Sequence, residues 1–195
     1  MNPHFNLMGK LIVRYWSDEN PHWLLEAHTQ TPQKLNVWTG LIRDRIIGPF
    51  FIQGNLDGEK YLDLLINDIV PAIQEITGDD FNEVWFQQDG APPHYRNIVR
   101  DYLNVTFPNR WIGRRGTIEW PARSPDLAPP DFFLWGYIKS KVYITQPRDL
   151  AELRQRIVDV CTQIPPEMVF SAIENFYIRL GRCQIVDGRH FEHLP

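Results

Sequence analysis

Hydrophobic positions along the chain follow two different periods. Leu35-Asn36-Val37-Trp38-Thr39-Gly40-Leu41 and Ile46-Ile47-Gly48-Pro49-Phe50-Phe51-Ile52 are short and rich in β-formers. Arg43-Asp44-Arg45 between them has turn character, which predicts a hairpin. Trp23-Leu24-Leu25-Glu26 has the composition of a further strand. After Asp57, a suitable N-cap, the period lengthens. Tyr61, Leu62, Leu65, Ile69, Ala72, Ile73 and Ile76 recur at three- and four-residue spacing, which predicts a helix over 59–77. Pro71 inside it removes a backbone donor and predicts a kink or break.

Val84-Trp85-Phe86 predicts a strand that runs out at Asp89, and Tyr95, Val99 and Leu103 share one face of a helix expected from about Pro93 to Leu103. Gly116 to Trp120 is expected as another strand, stopped by Pro121. Beyond Asp131 the run Phe132, Phe133, Trp135, Tyr137, Ile138 and Val142 is too apolar for a surface helix, so one side belongs under a sheet. Leu153, Ile157, Val160 and Ile164 mark a helix over 150–164 that ends at Pro165-Pro166. Val169, Ile173, Phe176 and Leu180 mark the last helix, with Gly181 expected just past its end. Strands first, then alternation, then helices predict one mixed α/β domain.

A chain of 195 residues is large enough for one domain with a sizeable core. Seven Trp and eleven Phe make it rich in aromatics. No stretch approaches the roughly 20 apolar residues of a membrane span, and no leader resembling a signal peptide follows Met1. Cys161 and Cys183 have no metal-ligand spacing and are expected as reduced thiols. A net charge of −4 argues against a protein-wide grip on nucleic acid. Local charge differs. Between Gly90 and Pro125 lie Arg96, Arg100, Arg110, Arg114, Arg115 and Arg123, against only Asp101 and Glu119. This segment is either a solvated face or a surface for phosphates.

The basic segment is flanked by Gln87-Gln88-Asp89-Gly90-Ala91-Pro92-Pro93-His94 and Ser124-Pro125-Asp126-Leu127-Ala128-Pro129-Pro130-Asp131. Each sets carboxylates beside a tight turn. A carboxylate at a strand end has a rigidly held backbone and a side chain that reaches a cleft. Two that converge can hold a divalent cation, because hard cations take charged oxygen ligands.

These two segments, with Asn20-Pro21-His22, Asn36-Val37-Trp38, Gly48-Pro49-Phe50-Phe51, Trp111-Ile112-Gly113-Arg114 and Asp131-Phe132-Phe133-Leu134-Trp135-Gly136, resemble mariner-type transposases of the DDE superfamily over nearly the whole chain. The resemblance implies a ribonuclease H-like fold, a mixed five-stranded sheet flanked by helices, in a single catalytic domain spanning 1–195. It implies three acidic residues that bind Mg²⁺ or Mn²⁺ to cut and rejoin DNA. Asp89 matches the second of these and Asp131, which opens a helix, the third. Asp126 matches a turn position whose role is to shape backbone. The 41 residues between Asp89 and Asp131 exceed the spacing of the best-known members, and a loop can lengthen without moving the strand ends.

The first carboxylate is missing from the match. Phe5 takes the place of the Phe in the family's first-strand stretch, and counting back to the acidic position lands on Met1. No acidic residue precedes Asp18, and Asp18 and Glu19 fall where the family is already past that strand. The first, central strand is therefore expected to be truncated, and helix-turn-helix modules that read transposon ends to be absent. Catalysis by two metal ions needs both held close together, so little or no strand cleavage is expected. Arg114, Arg115 and Arg123 are the candidates for phosphate contacts. His94 could orient a phosphate or water, or make a structural hydrogen bond. DNA is the implied partner, with a second copy or a full-length transposase beside it, and the nucleus the implied location. A fragment of a longer active enzyme, and a co-opted DNA- or protein-binding module, are the other readings.

Overall fold

The computed structural model describes residues 4–6, 34–120 and 124–189. The expected strand at Trp23–Glu26, together with Asp18, Glu19 and Arg123, lies outside them. The hairpin forms as the alternation predicts, from β2 (Lys34–Ile42) and β3 (Arg45–Ile52), paired antiparallel. Its register jumps from Trp38 opposite Phe50 to Gly40 opposite Ile47, so β3 carries an extra residue at Gly48-Pro49. Gly48 takes φ +87°, and a Cβ there would come within 2.9 Å of the Phe50 nitrogen. Only glycine fits this bulge. The bulge flips the facing of β3, and the alternation then serves two cores. Leu35, Val37, Leu41, Ile46 and Phe51 face one, and Trp38, Ile42, Ile47 and Phe50 the other.

The second of these cores is covered by α1 (Gly58–Leu64), α2 (Val70–Thr77) and α3 (Asn97–Thr106). Asp57 caps α1, its side chain accepting the Lys60 N–H at 2.9 Å. The helix does not break before Pro71. A π-helical turn over Leu65–Ile69 joins α1 to α2, with the Val70 N–H bonded to the Leu65 carbonyl. The buried positions explain it. Tyr61, Leu65, Ile69, Ile73 and Thr77 recur every four residues, which outruns 3.6 per turn, and one wide turn absorbs the drift. Helix α3 starts later than expected because Ala91 to His94 form a turn, the His94 N–H bonded to the Ala91 carbonyl at 2.9 Å.

The first core is covered by α4 (Trp135–Val142), α5 (Leu150–Gln163) and α6 (Pro166–Ile185). Helix α6 runs through Gly181, where a Cβ would meet nothing, and ends instead with Asp187 at φ +54°. The Asp187 N–H bonds to the Gln184 carbonyl and the Gly188 N–H to the Cys183 carbonyl, the bonding of a Schellman cap. Cys161 is buried in the first core and Cys183 partly exposed, and both are free thiols.

Among the described residues the strands form two three-stranded sheets of a mixed α/β fold. In one, β1 (His4–Asn6) pairs antiparallel with β2, so the order is β1-β2-β3. In the other, β4 (Phe86–Gln87), β5 (Trp111–Gly113) and β6 (Ile118–Glu119) run parallel. Strand β1 is three residues long and pairs on one side among the described residues. Strand β5 escaped the sequence pattern, because three residues are too few to show a period. Its Trp111 is 1% exposed, and a Cβ on Gly116 would sit 2.6 Å from that ring. No helix of the described residues is long and apolar enough to cross a membrane.

Candidate active site

The β4 ladder brings Asp89 to the site. The Phe86 N–H bonds to the Arg110 carbonyl and the Gln88 N–H to the Ile112 carbonyl, each at 3.0 Å, so pairing stops one residue before Asp89. Asp89 Oδ1 then accepts the Ala91 N–H at 2.9 Å and meets His94 Nδ1 at 2.5 Å. This second approach is ion-pair contact without the in-line geometry of a hydrogen bond. Burial opposes ionisation of Asp89, and the lowering causes, led by His94 and including the Ala91 N–H, hold the carboxyl well below its usual range.

Asp131 arrives from the other side, on a turn and a helix start. The Leu127 N–H bonds to the Ser124 carbonyl at 3.2 Å, and Asp131 and Phe132 N–H groups both bond to the Ala128 carbonyl, at 2.8 and 3.0 Å. A π-helical turn over Pro130–Leu134 then leads into α4. Arg179 on α6 clamps this segment. Its Nη1 donates to the Asp126 carbonyl at 3.0 Å, and its guanidinium lies 4.4 Å from the centre of the Phe132 ring. Asp126 thus contributes backbone to the turn. Burial raises the Asp131 pKa, and the charge of Asp89 adds to the rise while Lys139 opposes it.

Asp89 and Asp131 line one cleft of about 700 Å³, between the β2 side of the hairpin and α6. Among the described residues no third His, Cys, Asp or Glu joins them in a group able to hold a metal. His94 is 4% exposed, and its ring lies against Tyr61 at 4.2 Å between centroids. His94 nonetheless lines the cleft. Gln88 is buried and lines the same cleft, accepting the Tyr61 hydroxyl at 3.0 Å and donating to the His94 carbonyl at 2.9 Å.

The basic segment divides. Arg110 is spent inside, donating to the carbonyls of Phe81 and Val84. Arg96 packs its stem against Gly58, where a Cβ would lie 2.5 Å from its Cγ. Arg114 and Arg115 converge instead on one face, their guanidinium carbons 4.3 and 5.6 Å from the Tyr95 ring centre. Arg114 also borders Gly90, next to Asp89. Trp120 and Trp135 pack in hydrophobic clusters as well as lining the cleft. Sequence reasoning missed Arg179 and the hydroxyl of Tyr61. Tyr61 falls at an apolar helix position, and nothing local distinguishes it from a core residue.

The Tc3 transposase of Caenorhabditis elegans is 29% identical to this chain over 184 residues, which is 90% of the chain and 51% of that protein. The Tcb1 transposase of Caenorhabditis briggsae is 26% identical over 159 residues, or 80% of the chain and 52% of that protein. Among solved structures, the Mos1 transposase catalytic domain with raltegravir and Mg matches at a TM-score of 0.68 and 23% identity. The match covers 83% of this chain and 78% of that one. The chain is similar in sequence to these Tc1/mariner transposases and in fold to the Mos1 catalytic domain. The fold likeness extends to the Mos1 paired-end complex with the left transposon end, at a TM-score of 0.75 and 20% identity over 97% of this chain and 55% of that one. No family model matches. The chain spans about half the length of the curated Tc1/mariner relatives it matches.

Proposed function

We propose that this chain is a transposase-derived DDE endonuclease domain that binds DNA, with Asp89 and Asp131 as the carboxylates of its cutting and joining site. The convergence of these two side chains on one cleft carries the reading. Their chemistry fits Mg²⁺ or Mn²⁺, since both are hard oxygen donors and the charge of one raises the pKa of the other, a repulsion that a cation relieves. A divalent ion bound there would supply Lewis-acid stabilisation of charge on phosphate oxygens. Arg114 and Arg115, and Arg123 by its place in the sequence, take backbone phosphates and orient the strand. DNA is the partner, as the Mos1 paired-end complex suggests by analogy, with a second copy or a full-length transposase beside it and the nucleus as location.

The described residues supply two carboxylates, which leave a second ion with few ligands, so the site they form by themselves is catalytically incomplete. A nicking assay on supercoiled plasmid with Mg²⁺ or Mn²⁺ tests both parts, with Asp89→Ala and Asp131→Ala beside the unaltered chain. We expect weak Mn²⁺ binding that each substitution abolishes, and no nicking above the variants. Cation-dependent nicking lost in both variants would overturn the incompleteness, and absence of Mn²⁺ binding by the unaltered chain would overturn the metal reading. The pairing of Arg114 and Arg115 on Tyr95, which needs no metal, favours a second reading as a co-opted DNA-binding module without catalysis.

A further inference from the structure

We propose that His94 is a positioning residue for Asp89, fixing its carboxylate through Nδ1 so that it faces the cleft in one orientation before any cation arrives. The inference rests on the reading of Asp89 as a metal ligand and deepens it. Pairing of β4 ends at Gln88, so the ladder sets the Asp89 backbone but leaves the side-chain torsions open. Two groups then act on Oδ1, the Ala91 N–H at 2.9 Å and His94 Nδ1 at 2.5 Å. The approach is an ion-pair contact short of in-line hydrogen-bond geometry, so it acts through the close placement of Nδ1 against Oδ1.

His94 is held at ring and backbone. Its ring lies on Tyr61 of α1, its backbone carbonyl accepts Gln88 Nε2, and its backbone N–H closes the turn onto the Ala91 carbonyl. Gln88 is in turn oriented by the Tyr61 hydroxyl. Gly113 on β5 leaves it room, since a Cβ there would come 3.0 Å from Gln88 Cγ. Packing between α1, β4 and β5 therefore sets where the Nδ1 atom stands. A histidine that merely filled space would need the ring on Tyr61 and nothing from Nδ1.

Two substitutions separate those roles. In His94→Asn the amide nitrogen reaches the place of Nδ1 but the ring is lost, and in His94→Phe the ring stays on Tyr61 but the donor is lost. Mn²⁺ affinity of the full chain, read by electron paramagnetic resonance, is expected to fall roughly tenfold in His94→Phe and to be largely kept in His94→Asn. The reverse order, with affinity kept by Phe and lost with Asn, would overturn the proposal. Thermal melts establish that each variant is folded. A second measurement needs no metal, the ¹⁵N resonance of His94 Nδ1 in the cation-free chain, which is expected to move on Asp89→Ala. A resonance that stays in place also overturns the proposal. If the unaltered chain takes up no Mn²⁺ while that resonance moves, the metal reading fails and the positioning contact stands.

Discussion

Asp89, Arg114 and Tyr95 meet within one small region, where a carboxylate that would hold a cation adjoins cations that would hold DNA. Cation–π contact over Tyr95 keeps two long side chains near one place, which lowers the entropy lost when a phosphate binds them. The prediction at this scale is a salt titration of duplex DNA binding. Each phosphate contact contributes about 0.9 to the slope of log K against log salt, so Arg114→Ala with Arg115→Ala should flatten the slope by about 2. Tyr95→Leu should weaken binding and leave the slope unchanged, because it removes the support and keeps both charges. An unchanged slope in the double variant would remove the phosphate role from both arginines. The identities of these residues were legible from charge and motif. Their grouping on Tyr95 was not, because the contact joins the turn after β4 to the turn after β5.

Helix α5 shows how a sequence pattern and its cap combine. Asp149 accepts the Glu152 N–H at 2.8 Å, and Glu152 reaches back to the Arg148 N–H at 2.9 Å. Arg148 and Arg156 also donate to the Glu152 carboxylate, and Arg156 ties down the carbonyls of Val142 and Thr145 ahead of the helix. The hydrogen bond from Arg148, with those from Arg156, pulls the Glu152 pKa from 4.5 to about 2. A lowered folded value means stability that is present above the ordinary pKa and is lost as pH falls through the folded one. Glu152→Gln should therefore lower Tm modestly at neutral pH, with the gap closing between pH 4.5 and about 2. A gap that stays constant across that range would show that the ion pairs add nothing. The same scale holds two corrected boundaries. At Pro71 the helix continues after a wide turn over Leu65–Ile69 rather than ending, and α6 passes Gly181 because the αL cap at Asp187 is available further on.

At the scale of the molecule, one hairpin separates two cores, and the bulge at Gly48 lets both faces of β3 be apolar. Leu134 and Leu103 are fully buried, one in each core. Leu→Ala at either should cost about 2–5 kcal/mol, because the cavity adds to the lost transfer energy. Denaturant unfolding of both single variants and the double should give costs that add within about 0.5 kcal/mol, since the sites share no neighbours. A double variant far from additive would mean that the two cores respond as one. The cleft lies beside this hairpin, with Asp89 carried by the parallel sheet and Asp131 by the helical layer that ends in α6. A site built across two layers depends on how they pack.

By itself the sequence determined the hairpin and the capped helices, and carried the resemblance to transposases with its two candidate carboxylates, because periodicity, turn residues and short motifs are local properties. It could also show that no acidic residue stands before Asp18. Tertiary structure alone decided that Asp89 and Asp131 share a cleft, that His94 turns inward onto Asp89, and that Arg179 clamps the turn before Asp131. Those facts depend on contacts between residues far apart along the chain. Their geometry follows from the packing of whole elements, which no local pattern encodes.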